Sequence, residues 1–172
     1  MADKESSICQ NIIRNMKDDP NISLLLNNIK LQPEFECKRC DDININEQNI
    51  KAYLLQYNNS EKPNKIVICT NSNSSSSDLK VALKHELIHA YDLSNQRYDF
   101  DDCHGLANTE IRAAREADCN HRYFPFDFMK KACIIDKAST STNSIFKGRG
   151  RDCVKEVYDS AMRNNEPFAH NK

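Results

Sequence analysis

The segment His85-Glu86-Leu87-Ile88-His89 constrains this chain most: two imidazoles bracket a carboxylate at helical spacing, inside a strongly apolar stretch. Residues four apart share one face of a helix, so His85 and His89 can aim ring nitrogens at a single metal ion if the segment is helical. Glu86 is rotated about 100° from His85, which suits a base acting on water better than a ligand. Leu79, Ala82, Leu83, Leu87, Ala90 and Tyr91 form a core face, and Val81 and Ile88 are apolar on the other side. A helix apolar nearly all round is interior, so Lys84, His85 and Glu86 need partners. Asp78 reads as its N-cap. Asp92, on the ligand face beyond His89, is either a group that orients a ligand imidazole or a solvated helix-end carboxylate.

A catalytic zinc normally has three protein ligands and keeps one place for water. A second helix, expected to begin near Asn108 or Thr109, offers Glu110 beside the small residues Ala113, Ala114 and Ala117, which let two helices approach closely. The chain between His89 and Glu110 is long enough for the first helix to end, reverse and pack back. His104, in the acidic loop from Arg97, is the alternative third ligand or a donor to the transition-state oxyanion. Arg112 is the other oxyanion candidate. Glu116 points elsewhere and is expected at the surface, and Asp118 is a weaker candidate to support a ligand. His121 is expected to be exposed, and His170 belongs to the terminal tail.

At 172 residues the chain fits one domain with its own core. A formal charge of -1 argues against a nucleic-acid binder, which usually carries a basic excess. No apolar run approaches the length of a membrane-spanning helix. Met1 to Glu5 lacks both the apolar core of a signal peptide and the Arg-rich character of a transit peptide. The eight cysteines, Cys9, Cys37, Cys40, Cys69, Cys103, Cys119, Cys133 and Cys153, allow 105 pairings, among which sequence cannot choose. Cys37-Lys38-Arg39-Cys40 reads as a turn. With no second C-x-x-C to complete a zinc ribbon, structural disulfides, reduced thiols, a redox pair and a metal half-site all stay open.

Apolar spacing predicts two short helices between Cys9 and Ile29, split at Pro20. Ala52 to Tyr57 and Lys65 to Cys69 read as an antiparallel pair of strands joined by a polar turn, Asn58 to Asn64, after an irregular stretch from Ile43 to Ile50. The strand just before the histidine helix would offer an edge to an extended substrate. Asn71 to Ser77 is a small low-complexity loop. Beyond Phe126, apolar positions at Phe128, Met129, Ala132, Cys133 and Ile135 precede a Ser/Thr loop to Gly150, a last helix from Asp152 to Met162 and an anchored tail. The reading is α+β: a single zincin-like metalloprotease domain, mostly helical, with a small antiparallel sheet preceding the histidine helix. Its parts are an N-terminal helical segment (1–33), a cysteine-containing strand region (34–77) and catalytic helices with a C-terminal helical part (78–172).

His85 to Asp92, Thr109-Glu110-Ile111-Arg112-Ala113-Ala114, Asp118-Cys119, Cys133 with Asp136-Lys137-Ala138, and Glu156-Val157-Tyr158 to Glu166-Pro167-Phe168 together carry a family resemblance. Phe35 to Cys40 and Ile66 to Cys69 add to it. On these motifs the chain resembles the mitochondrial inner-membrane metalloproteases that also act as ATP synthase assembly factors. The resemblance implies a zinc (Zn2+) metalloendopeptidase of the intermembrane space, peripheral to the inner membrane, with His85, His89 and Glu110 as ligands and Glu86 as base. It implies a protein substrate, the precursor of a mitochondrially encoded ATP synthase membrane subunit, and an oxidised set of cysteines. The family has cysteines where this chain has Asn108 and Ala161, so Cys103 and Cys153 become the substitutes. Two rival readings are a chaperone or assembly factor with dispensable proteolysis, and a cytosolic or nuclear zinc peptidase with reduced thiols.

Overall fold

The computed structural model describes residues 2–40, 50–57, 62–71, 74–120 and 122–168. The expected stretch from Ile43 to Asn49, the first half of the turn after Tyr57, His121 and His170 lie outside them. The chain divides into two compact units, Met1–Ala90 and Tyr91–Lys172, and the division falls inside the histidine helix.

The first unit opens with α1 (Ala2–Asn15), a 3-10 turn (Met16–Asp18) and α2 (Pro20–Asn27). Pro20 splits the helices as expected: it has no N–H to give and suits the first turn of α2, where Asp19 caps by accepting from the N–H groups of Asn21 and Ile22. Cys9, Ile12, Met16, Ile22, Leu25 and Leu26 are buried.

Three strands follow, β1 (Glu34–Lys38), β2 (Ala52–Leu55) and β3 (Lys65–Cys69), in the order β1-β3-β2. The β2–β3 pair is antiparallel as expected, but β1 runs parallel to β3 and the sheet is mixed. Of the stretch read as a Cys-x-x-Cys turn, Cys37 and Lys38 are therefore strand, and Arg39 and Cys40 follow its end. Cys37 is in register with Ile68 and is cross-linked to Cys9 of α1, whereas Cys40, past the end of the strand, is cross-linked to Cys69. The two cysteines serve separate partners, which excludes a redox pair or a metal half-site between them. β3 buries Ile66, Val67, Ile68 and Cys69 in succession, the unbroken apolar run of a strand covered on both faces. Because it is also central in the sheet, it has no free edge for a substrate. Among the described residues the sheet's edges are β1 and β2.

α3 (Ser76–Ser94) begins earlier than expected. The cap is Ser75, whose Oγ accepts from the Asp78 N–H, while the Asp78 carboxylate accepts from the N–H and hydroxyl of Ser75. Asp78 is thus the reciprocal partner in a capping box rather than the cap itself. The Ser75 hydroxyl, helped by Lys51, holds its carboxyl below the usual range.

The second unit contains α4 (Cys103–Ala113), a π-helical turn (Ala114–Asp118), α5 (Asp127–Ile145) and α6 (Gly150–Arg163). α4 starts five residues before Asn108, because Asp102 caps it by accepting from the N–H groups of His104 and Gly105. His104 consequently sits on the helix and not in a loop. Gly105 is required there: a Cβ would lie 1.8 Å from the Asp99 carbonyl oxygen.

The π turn is marked by the Cys119 N–H bonding Ala114 O at 2.8 Å, five residues back. Its extra residue shifts the facing of the side chains in this turn, and Glu116, expected at the surface, is buried against Arg115 at 2.6 Å. Arg115 also donates to the carbonyls of Ala161, Met162 and Asn164, and so caps the C-terminal end of α6.

The stretch expected to be a Ser/Thr loop is helical. Ile134, Ala138 and Thr142 continue one buried stripe at intervals of four, and the Thr140 and Ser144 hydroxyls fold back onto the carbonyls of Asp136 and Ser141. Disulfides Cys103–Cys153 and Cys119–Cys133 brace this unit, so all eight cysteines are paired. The tail is anchored as expected: Arg97 and Arg112 bond Glu166, and Phe168 is buried.

Candidate active site

Asp92, in the last turn of α3, is fully buried. One carboxylate oxygen lies 3.2 Å from Arg112 Nη1, and the other accepts from Thr109 Oγ1 at 2.8 Å. Thr109 and Arg112 bracket Glu110 in the sequence, so the end of the histidine helix is fastened to α4 on both sides of that acid. Burial raises the Asp92 pKa to about 6, against the pull of Arg112 and the Thr109 bond. At neutral pH the carboxylate is still ionised and can pair with Arg112. Of the two roles the sequence left open for Asp92, solvated carboxylate is excluded.

His85, His89 and Glu110 each bring one ligand atom into a group whose members all lie within 4.8 Å of one another. The Nε2 atoms of His85 and His89 are 3.0 Å apart, and their rings meet edge-on at 77°. Two nitrogens each about 2.0–2.1 Å from a tetrahedral ion would stand roughly 3.3 Å apart, so the pair is close to the spacing that a shared ion requires. His89 and Glu110 are buried and His85 is half-buried, which limits competition from water. Two imidazoles and a carboxylate are the donor set of a site that keeps a fourth position open. The three residues thus form a group able to hold a metal ion.

Glu86 is half-buried next to His85 on α3, outside the ligand group. The alternative third ligand, His104, is elsewhere engaged: its Nε2 is 2.6 Å from Glu156 Oε2 of α6. Asp118 is half-buried and not part of the group. Arg112, considered as an oxyanion donor, is completely buried on Asp92 and the Glu166 carbonyl and presents no free face to a substrate. Sequence reasoning missed the Asp92–Thr109–Arg112 fastening. Its signal was present, since an acid on an interior helix demands a buried cation and a hydroxyl from a neighbouring element.

The Peptidase M76 family model matches residues 4–169, both units together. The chain belongs to the peptidase M76 family. This M76 peptidase is 27% identical over 186 residues to the human "Mitochondrial inner membrane protease ATP23 homolog", covering 95% of this chain and 71% of the human protein. The Xenopus laevis protein of the same name is 34% identical over 60% of this chain and 49% of its own length. The Danio rerio protein is 30% identical over 60% of this chain and 45% of its own length. No solved structure matches the chain.

Proposed function

We propose that this M76 peptidase is a zinc-dependent metalloendopeptidase of the mitochondrial intermembrane space, held peripherally at the inner membrane. Its substrate is the precursor of a mitochondrially encoded ATP synthase membrane subunit, and it assists assembly of the membrane sector. The observation that carries this reading is the convergence of His85, His89 and Glu110. The name and 95% coverage of the human relative support the location. Four disulfides support an oxidising compartment over a cytosolic or nuclear one. Among the described residues no helix is long and apolar enough to cross a membrane, which is compatible with peripheral attachment.

His85, His89 and Glu110 would hold the ion, which when bound supplies a Lewis acid and makes water more acidic. Glu86, on the same helix but rotated off the ligand face, accepts the proton of the attacking water and returns it to the departing amine. Asp92, bonded to Thr109 and Arg112, fastens the last turn of α3 to the part of α4 that carries Glu110. Glu86→Gln should therefore keep the metal and lower peptide cleavage by about 10²–10⁴-fold. Unreduced cleavage in that variant sinks the mechanism. Full rescue of ATP synthase assembly by Glu86→Gln, with the precursor left uncut, would show that the assembly role is separable from proteolysis.

A further inference from the structure

The segment that opens α5 presents apolar side chains that the second unit leaves exposed or only partly covered. Tyr123 is 90% exposed, Phe126 61%, Phe128 69% and Met129 39%. The Phe126 and Phe128 rings stack on each other, 5.6 Å apart and nearly parallel, rather than on the core. The first buried residue of α5 is Ile134, two turns into the helix. Single exposed apolar residues are ordinary, but four within seven positions form a patch of the kind that marks an interaction surface.

The patch is held in place. Phe124 turns inward and packs against the buried cluster around Ile111 and Ile134. The Cys119–Cys133 disulfide closes the segment into a loop whose ends are 14 positions apart. Tyr123, Phe126 and Phe128 therefore point outward from a braced base. Three cations, Arg122, Lys130 and Lys131, flank them with a single acid, Asp127. Beside Phe128 and the two lysines a groove of about 720 Å³ runs past Ile134, Tyr158 and Met162.

We propose that this loop is the surface by which the protein docks on an anionic phospholipid bilayer. Aromatic side chains settle at the depth of lipid headgroups, where an apolar body meets polar surroundings. Flanking lysine and arginine add electrostatic attraction to an anionic leaflet. Charge and apolar area coincide here, the combination that distinguishes a lipid surface from an uncharged apolar partner. The inference rests on the peripheral membrane association proposed above and names the residues responsible for it.

The full chain, disulfides intact, would be floated with vesicles of phosphatidylcholine alone or with one-third phosphatidylglycerol. Wild type should bind the anionic vesicles at least tenfold better. Phe126→Ser with Phe128→Ser should lower that binding tenfold or more, and Lys130→Glu with Lys131→Glu should weaken it at least fivefold. Ile145→Ser, which removes another exposed apolar side chain at the far end of α5, should bind like wild type. Hydrolysis of a soluble peptide should be unchanged in the Phe126/Phe128 variant, which separates this proposal from the peptidase reading. Binding that survives loss of both phenylalanines overturns the proposed surface and leaves membrane association standing. No binding of wild type to either vesicle overturns lipid docking. If native inner membranes then capture wild type in a protease-sensitive manner, the partner is a membrane protein instead.

Discussion

Replacing Cys103 and Cys153 together by alanine removes the cross-link with the longest closed loop, 50 positions, between the first turns of α4 and α6. In the chain-entropy treatment, a loop of that length restricts the unfolded chain by roughly 14 cal/mol/K, or about 4 kcal/mol at 25 °C. The 14-position loop closed by Cys119–Cys133 gives about 3 kcal/mol on the same footing. Alanine is preferable to serine because Cys103 is buried and a hydroxyl there would need a partner. The folded state should survive, since Ala107, Ile111, Val154, Tyr158 and Ala161 still share one apolar cluster. Urea unfolding followed by far-UV circular dichroism should show a stability loss near 4 kcal/mol for Cys103→Ala/Cys153→Ala and about 1 kcal/mol less for Cys119→Ala/Cys133→Ala. The dependence on urea should steepen in both, because an uncrosslinked unfolded chain exposes more surface. A loss below about 1 kcal/mol for the longer loop, or the reverse order of the two variants, would refute loop closure as the source of stability.

Gly105→Ala sets a Cβ 1.8 Å from the Asp99 carbonyl oxygen, so the start of α4 must move. It should cost about 2–3 kcal/mol in the same unfolding assay. Arg115→Met removes the cap from the end of α6 and takes a cation from buried Glu116. A loss of about 3–5 kcal/mol is expected, with measurable coupling to Glu116→Gln in a double-mutant cycle. Asp92 is an acid whose pKa rises on folding, from 3.8 to about 6. Its contribution to stability is therefore fully present below pH 3.8 and is lost as pH rises through about 6. Measured on metal-free protein, wild type should lose roughly 2 kcal/mol relative to Asp92→Asn between pH 4 and pH 7, and parallel pH curves would contradict the assignment.

The histidine pair of the candidate metal group was legible because H-E-x-x-H fixes its own geometry: once the segment is a helix, His85 and His89 must share a face. Pro20 and the β-branched run at Ile66 to Ile68 likewise declared a helix break and a buried strand through local chemistry. Less visible were features set by partners remote in sequence. Cys37 and Cys40 suggest a turn when read alone, but Cys37 is strand because β1 pairs with β3, and Cys40 lies beyond the strand, where it is cross-linked to Cys69. Glu116 was misplaced because a π turn breaks the 3.6-residue period from which its exposure was inferred. The Ser/Thr run at Ser139 to Thr142 concealed a helix whose buried stripe continues through a threonine. α4 began early because Asp102 offered a better cap than the residues nearer Glu110.

One ion shared by His85, His89 and Glu110 is the central proposal, and metal content measures it directly. Purified wild type and Glu86→Gln, analysed by inductively coupled plasma mass spectrometry after exhaustive dialysis against zinc-free buffer, should each retain close to one zinc per chain. Glu110→Ala, confirmed as folded by circular dichroism, should lose most of it. Zinc retained undiminished by Glu110→Ala, or absent from wild type, would contradict the account.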